Sequence, residues 1–159
     1  MSLPLEWVES PPAMTPEQAG AYCSQLARSH YENFHVVSFL LPKNLHTDFY
    51  NVYAYCRWSD DLADETGDRE RSLKLLALWE EDLEACYRGH GRHPVFRALA
   101  ETVKRRNIPI QPFRNLLRAF VRLWGLRNSI ESADYDERAF YSRIPLQRFW
   151  QRERHRIIT

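Results

Sequence analysis

The chain has 159 residues, 44% apolar and 27% charged, with a formal net charge of +1. That is the composition of one soluble globular domain, long enough for one core and short for two. The near-neutral balance gives no bulk attraction to nucleic acid, and no apolar run approaches the ~18 residues that a membrane span requires. The opening MSLPLEWVESPPAMTPEQ lacks a basic stretch followed by an apolar one, so no signal peptide is expected. Cys23, Cys56 and Cys86 are odd in number and fall in helical stretches. They read as reduced thiols in a cytoplasmic protein, without a disulfide framework or zinc spacing. No internal repeat is visible.

In chain order, residues 1–14 read as an irregular, proline-rich arm. Thr15-Pro16-Glu17-Gln18 then combines a Thr cap, Pro at the first helical position and Gln at the third, and the helix it starts is expected to reach about His30. After the apolar link Val36–Leu41, Asn44 can cap a helix running to about Glu65. Leu45, Phe49, Val52, Tyr53 and Cys56 form one apolar stripe on it, and Tyr55, Trp58 and Leu62 a second. A helix apolar on two faces is expected to be surrounded by other helices. Gly67-Asp68 ends it and caps the next, about Arg69 to Arg88, with Leu73, Leu76, Trp79, Leu83 and Cys86 inward. Past Gly89-His-Gly-Arg-His93-Pro94 comes a shorter helix with Phe96, Leu99 and Val103 on one side. Asn107-Ile-Pro109-Ile-Gln-Pro112 is a break, and Phe113, Leu116, Leu117, Phe120, Val121 and Trp124 mark a last periodic helix. No stretch alternates with period two. The class is all-α.

The chemistry concentrates in Tyr53-Ala-Tyr-Cys-Arg57-Trp-Ser-Asp60-Asp61-Leu-Ala-Asp64-Glu65. Tyr53, Arg57, Asp60, Asp61 and Asp64 share one helical face. Like charges at i and i+4 destabilise a bare helix by about 0.2–0.5 kcal/mol, so Asp60 above Asp64 suggests a cation between them. Oxygen ligands at this spacing suit Mg²⁺, which takes one or two carboxylates and completes its shell with water and phosphate. Arg57, one turn earlier, can hold the other side of that phosphate. The plainer alternative is a solvated acidic face with Arg57 paired to Asp60 or Asp61. His30 alone reads as a cation at a helix C-terminus, and Phe34 and Tyr53 as core. Glu80-Glu81-Asp82 with Glu84 reads as a solvated face, and His90-Gly-Arg-His93 as a loop without further ligands nearby.

Taken together, His30-Tyr31-Glu-Asn33-Phe34, Phe39-Leu-Leu-Pro42 and the acidic run resemble the N-terminal half of the squalene/phytoene synthase family. The His-Tyr-Glu-Asn-Phe variant is most similar to its bacterial hopanoid-pathway, hydroxysqualene synthase branch. His93-Pro-Val-Phe96 and Ile108-Pro-Ile-Gln-Pro112-Phe113-Arg-Asn-Leu-Leu extend the likeness, which covers about residues 15–122. The resemblance implies an all-α isoprenoid-synthase fold that handles prenyl diphosphates such as farnesyl or presqualene diphosphate with Mg²⁺. It makes Asp60 and Asp64 metal ligands and, with Arg57, catalytic. Tyr53 and Arg57 match groups that hold the diphosphate, and His30, Tyr31 and Asn33 match the segment lining the same pocket. Phe34 matches an aromatic residue near the reacting hydrocarbon, where a ring face attracts a carbocation.

The family's second aspartate-rich motif has no counterpart here. Leu123 stands where an acid is expected, and an arginine-rich tail, residues 123–159, follows. The expectation is a truncated or frameshifted chain, inactive alone, with Tyr55, Trp58 and Leu62 partly exposed for want of packing partners. Peripheral membrane association would suit greasy substrates, although no amphipathic anchor is evident. The competing reading is a non-catalytic helical module that binds a protein partner.

Overall fold

The computed structural model describes residues 3–29 and 41–130, of which 124–130 are described by their backbone only. Five α-helices carry them: α1 (Pro16–Ser29), α2 (His46–Asp64), α3 (Arg69–Tyr87), α4 (Pro94–Arg106) and α5 (Gln111–Ile130). Short 3₁₀ turns at Leu5–Val8 and Lys43–Leu45 complete the described elements, and no strand occurs among them. Residues 1–124 form one compact unit; from the second, beginning at Gly125, only the end of α5 is described.

The helix ends follow local chemistry. At α1 the Thr15 N–H donates to Gln18 Oε1 at 2.9 Å and the Gln18 N–H to Thr15 Oγ1 at 3.3 Å, a reciprocal capping box. Gly67 takes a left-handed φ of +66°, and Asp68 then caps α3 by accepting from the Glu70 N–H at 3.1 Å. Asn107 ends α4 at φ 51°, below a last turn of Lys104, Arg105 and Arg106 that complements the helix dipole. The expected cap at Asn44 is not formed. The 3₁₀ turn instead puts Leu45 at the start of α2 with no side-chain cap, and the Asn44 carbonyl accepts from Arg106 Nη2 at 3.1 Å.

The stripe predicted to be partly exposed on α2 is the buried one. Tyr55, Trp58 and Leu62 are each fully buried, with α1, α3, α4, α5 and the segment before α1 packed around the core they belong to. Trp58 stacks on Trp79 of α3 with centroids 5.6 Å apart, and Tyr55 meets Phe113 of α5 edge to face at 4.9 Å. Such pairs add about 0.5–1.5 kcal/mol beyond simple burial. Their polar atoms are satisfied: Trp58 Nε1 donates to Tyr22 Oη at 3.0 Å, Trp79 Nε1 to Ser59 Oγ at 3.0 Å, and the Tyr55 hydroxyl to the Phe113 carbonyl at 2.9 Å. The residues before α1 contribute too, since Val8 is buried and Trp7 packs near Trp58 and Tyr22.

Two polar clusters fasten helices together. Asp48 of α2 is buried and accepts from Thr102, Arg105 and Arg106 of α4, with Arg106 Nε at 2.7 Å. Burial alone would raise its pKa, but these hydrogen bonds outweigh that and hold the carboxyl below its ordinary range. The acidic run on α3 is not simply a solvated face. Asp82 is buried and accepts from the backbone N–H groups of Arg92 and His93, each at 2.8 Å, while Glu84 pairs with Arg114 Nε at 2.6 Å. Leu73, expected inward, is only half-buried, and Leu75 takes the inward position instead.

His93 is buried among Trp7, Trp58, Trp79 and Phe96. Its Nδ1 accepts from the Val95 N–H at 3.2 Å and caps α4, which assigns the ring proton to Nε2. The ring meets the indoles of Trp58 and Trp79 edge to face, at 4.4 and 4.9 Å. Burial pushes the imidazole down to about 3.

Asp82→Ala should destabilise the fold by about 1–2 kcal/mol in urea denaturation, since it strips the buried His93 amide and the part-buried Arg92 amide, just before α4, of their acceptor. The neutral His93 makes folding acid-sensitive. Its folded pKa lies below the unfolded value near 6.5, so the unfolded state binds a proton that the folded state refuses. Stability from this group is therefore complete above pH ~6.5 and declines by up to about 1.4 kcal/mol per pH unit as pH falls toward 3. His93→Asn keeps a capping oxygen without the titration. Urea curves from pH 7 to 4 should show the gap between wild type and variant narrowing as pH falls; a constant gap would exclude this assignment.

Candidate functional site

At about 100° per residue, the side of α2 opposite Tyr55, Trp58 and Leu62 carries Tyr53, Arg57, Asp60 and Asp64. The large buried aromatics fix the rotation of the helix, and the polar group follows from that rotation. Asp64 is exposed and Asp60 half-buried, so a ligand can reach both carboxylates. Burial, followed by the charge of Asp64, raises the Asp60 pKa against the pull of Arg57. The two acids therefore repel each other at a partly dehydrated site. Burial likewise raises the Tyr53 hydroxyl, and it raises the neighbouring Cys56 thiol to about 11, which leaves that sulfur protonated and unreactive.

Asp61 entered the sequence reading only as one of two salt-bridge partners offered to Arg57, and it is the one that pairs. It is buried, at 2% exposure, and its Oδ1 accepts from Arg57 Nη2 at 2.7 Å. Burial lifts its pKa to about 6 despite the attraction of Arg57. The ion pair is one-armed: among the described residues, Asp61 Oδ2 and Arg57 Nε are both buried without a hydrogen-bond partner. The only hint in the sequence was the i,i+4 spacing of Arg57 and Asp61.

His30, Tyr31, Asn33 and Phe34 lie outside the described residues. Among the described residues, no group of three or more His, Cys, Asp or Glu side chains is arranged to hold a metal ion. The donor set is thus the pair Asp60 and Asp64. It fits an octahedral hard cation bound through one or two carboxylates, and fits poorly a metal that needs a complete protein cage. The like-charge repulsion raising Asp60 is what a cation between the two would relieve.

A family model for squalene/phytoene synthase matches residues 27–142. The chain belongs to the squalene/phytoene synthase family. The matched residues run past residue 122 into the arginine-rich stretch. A phytoene synthase from Arthrospira platensis is 32% identical over 71% of this chain and 38% of its own length. A 15-cis-phytoene synthase from Synechocystis is 26% identical over 74% of the chain and 35% of its own length. The crystal structure of squalene synthase HpnC from Alicyclobacillus acidocaldarius superposes with a TM-score of 0.62 at 40% identity, over 72% of this chain and 43% of that one. The chain therefore spans well under half the length of these relatives. The all-α arrangement of α1 to α5 is that of the squalene/phytoene synthase fold.

Proposed function

We propose that this chain supplies the first metal- and diphosphate-binding half of an enzyme of squalene formation, acting on farnesyl or presqualene diphosphate. The reading rests on one observation: α2 buries its aromatic side and leaves Arg57, Asp60 and Asp64 together on the opposite side. Asp60 and Asp64 hold Mg²⁺, Arg57 and Tyr53 grip the diphosphate, and His30, Tyr31, Asn33 and Phe34 line the same pocket. The 40% identity to squalene synthase HpnC, against 26–32% to the phytoene synthases above, favours the squalene-forming, hopanoid branch over the phytoene branch.

The chemistry assigned is heterolysis of the C–O bond to the diphosphate, allylic in the farnesyl ester and cyclopropylcarbinyl in the presqualene ester, with diphosphate leaving with the electron pair. The carbocation is then captured by a second prenyl chain or by water, with loss of a proton. Bound Mg²⁺ would neutralise charge on the departing diphosphate. Arg57 contributes a fixed guanidinium at the same end, worth most where water is excluded. The three unpaired cysteines support a cytoplasmic location, and a largely hydrocarbon substrate would call for peripheral access to membranes. No helix among the described residues is long and apolar enough to cross one.

An allylic diphosphate must be clamped from both sides to ionise in a defined pose, and this chain carries one aspartate-rich motif. It is therefore assigned binding without turnover. Inorganic pyrophosphate with MgCl₂ should raise Tm, since a tenfold excess over Kd stabilises by about 1.4 kcal/mol. Asp60→Asn and Asp64→Asn should abolish that gain, Glu81→Gln should keep it, and farnesyl diphosphate should survive incubation. Diphosphate release from farnesyl diphosphate would refute inactivity, and an unchanged Tm gain in both Asn variants would refute the site.

A further inference from the structure

We infer that Asp61 is a positioning residue, which sets the guanidinium of Arg57 so that its unbonded N–H groups are left to donate to a diphosphate oxygen. The inference rests on the proposed function above and extends it to a residue with no role there. A buried carboxylate normally has all its oxygens satisfied, and a buried guanidinium its donors. Here one contact, Arg57 Nη2 to Asp61 Oδ1 at 2.7 Å, leaves a carboxylate oxygen and the Nε donor unmatched among the described residues. A guanidinium usually meets a carboxylate through two parallel bonds, and this pair does not. The arrangement is also a poor choice for stabilising α2. An acid N-terminal to its base is the favourable i,i+4 order, and here Arg57 comes first.

Among the described residues, Asp60, Glu65, Tyr22 and Tyr53 lie within electrostatic reach of the pair, and none of them hydrogen-bonds either unmatched atom. The guanidinium is therefore tethered by Asp61 while its side chain stays 27% exposed, so a diphosphate bound beside Asp60 and Asp64 meets an arginine already held in place. A tethered arginine loses less rotamer freedom on binding than a free one, so the tether appears as affinity.

The test is a double-mutant cycle on the full chain, read by calorimetric binding of inorganic pyrophosphate in MgCl₂. Asp61→Asn keeps the shape and removes the charge; it should weaken binding about tenfold, the scale of one charge-assisted hydrogen bond. In an Arg57→Gln background the same change should have little further effect, because Asp61 acts through Arg57. Asp61→Glu should recover part of the loss. A structural role would lower Tm without this non-additivity. Asp61→Asn binding like the wild type, or weakening both backgrounds equally, would overturn the inference and leave the proposed function standing. If Asp61→Asn fails to fold, Asp61→Glu is read in its place, and failure of both would assign Asp61 to stability alone. No pyrophosphate binding by the wild-type chain would overturn the proposed function and this inference with it.

Discussion

The structure depends on burying one side of α2. Tyr55, Trp58 and Leu62 are completely enclosed, and Trp58 stacks on Trp79 while His93 wedges edge to face against both indoles. Large aromatic rings tolerate few packing arrangements, and each indole N–H here has a specific acceptor. The helix can neither roll nor slide without breaking several of these at once. Its rotation is fixed, and with it the direction of every residue on the far side.

That fixed rotation gives the site its chemical character. Arg57, Asp60 and Asp64 need no loop to bring them together, since a rigid helix presents them and its back is locked into the core. Sites on packed helices hold their geometry more closely than sites on loops. The electrostatics run against fold stability, with Asp60 and Asp61 both raised by burial and neither fully compensated. Unfavourable carboxylates in one place mark where binding rather than folding has set the sequence. The strongly compensated acid, Asp48, lies earlier on the same helix and fastens it to α4.

Much of this was legible in the sequence because its signals are local. The capping box at Thr15, the Gly67–Asp68 junction and the helical periods need only nearest-neighbour chemistry, and the helices follow them closely. The acidic run was legible because like charges one turn apart demand a reason. What could not be read depends on tertiary partners. Asp82 sits within an acidic run that looks solvated, and only the approach of two amides from just before α4 shows that it is buried. His93 looks like a loop histidine until three tryptophans close around it. The exposure expected for Tyr55, Trp58 and Leu62 assumed that their partners lie in the rest of a longer enzyme, whereas α1, α3, α4, α5 and the segment before α1 pack around the core they belong to. The asymmetry of Asp61 and Arg57 is likewise invisible in spacing, because i,i+4 says that two groups meet and not how many bonds they make.

The central claim is that the acidic side of α2 is a divalent-cation site. The most direct measurement is paramagnetic broadening of amide signals in a ¹⁵N-labelled sample titrated with Mn²⁺, an oxygen-preferring stand-in for Mg²⁺. The account predicts losses centred on residues 57–64 that are reversed by excess Mg²⁺ and absent in Asp60→Asn. Broadening centred instead on the acids of α3, or none at millimolar Mn²⁺, would contradict it.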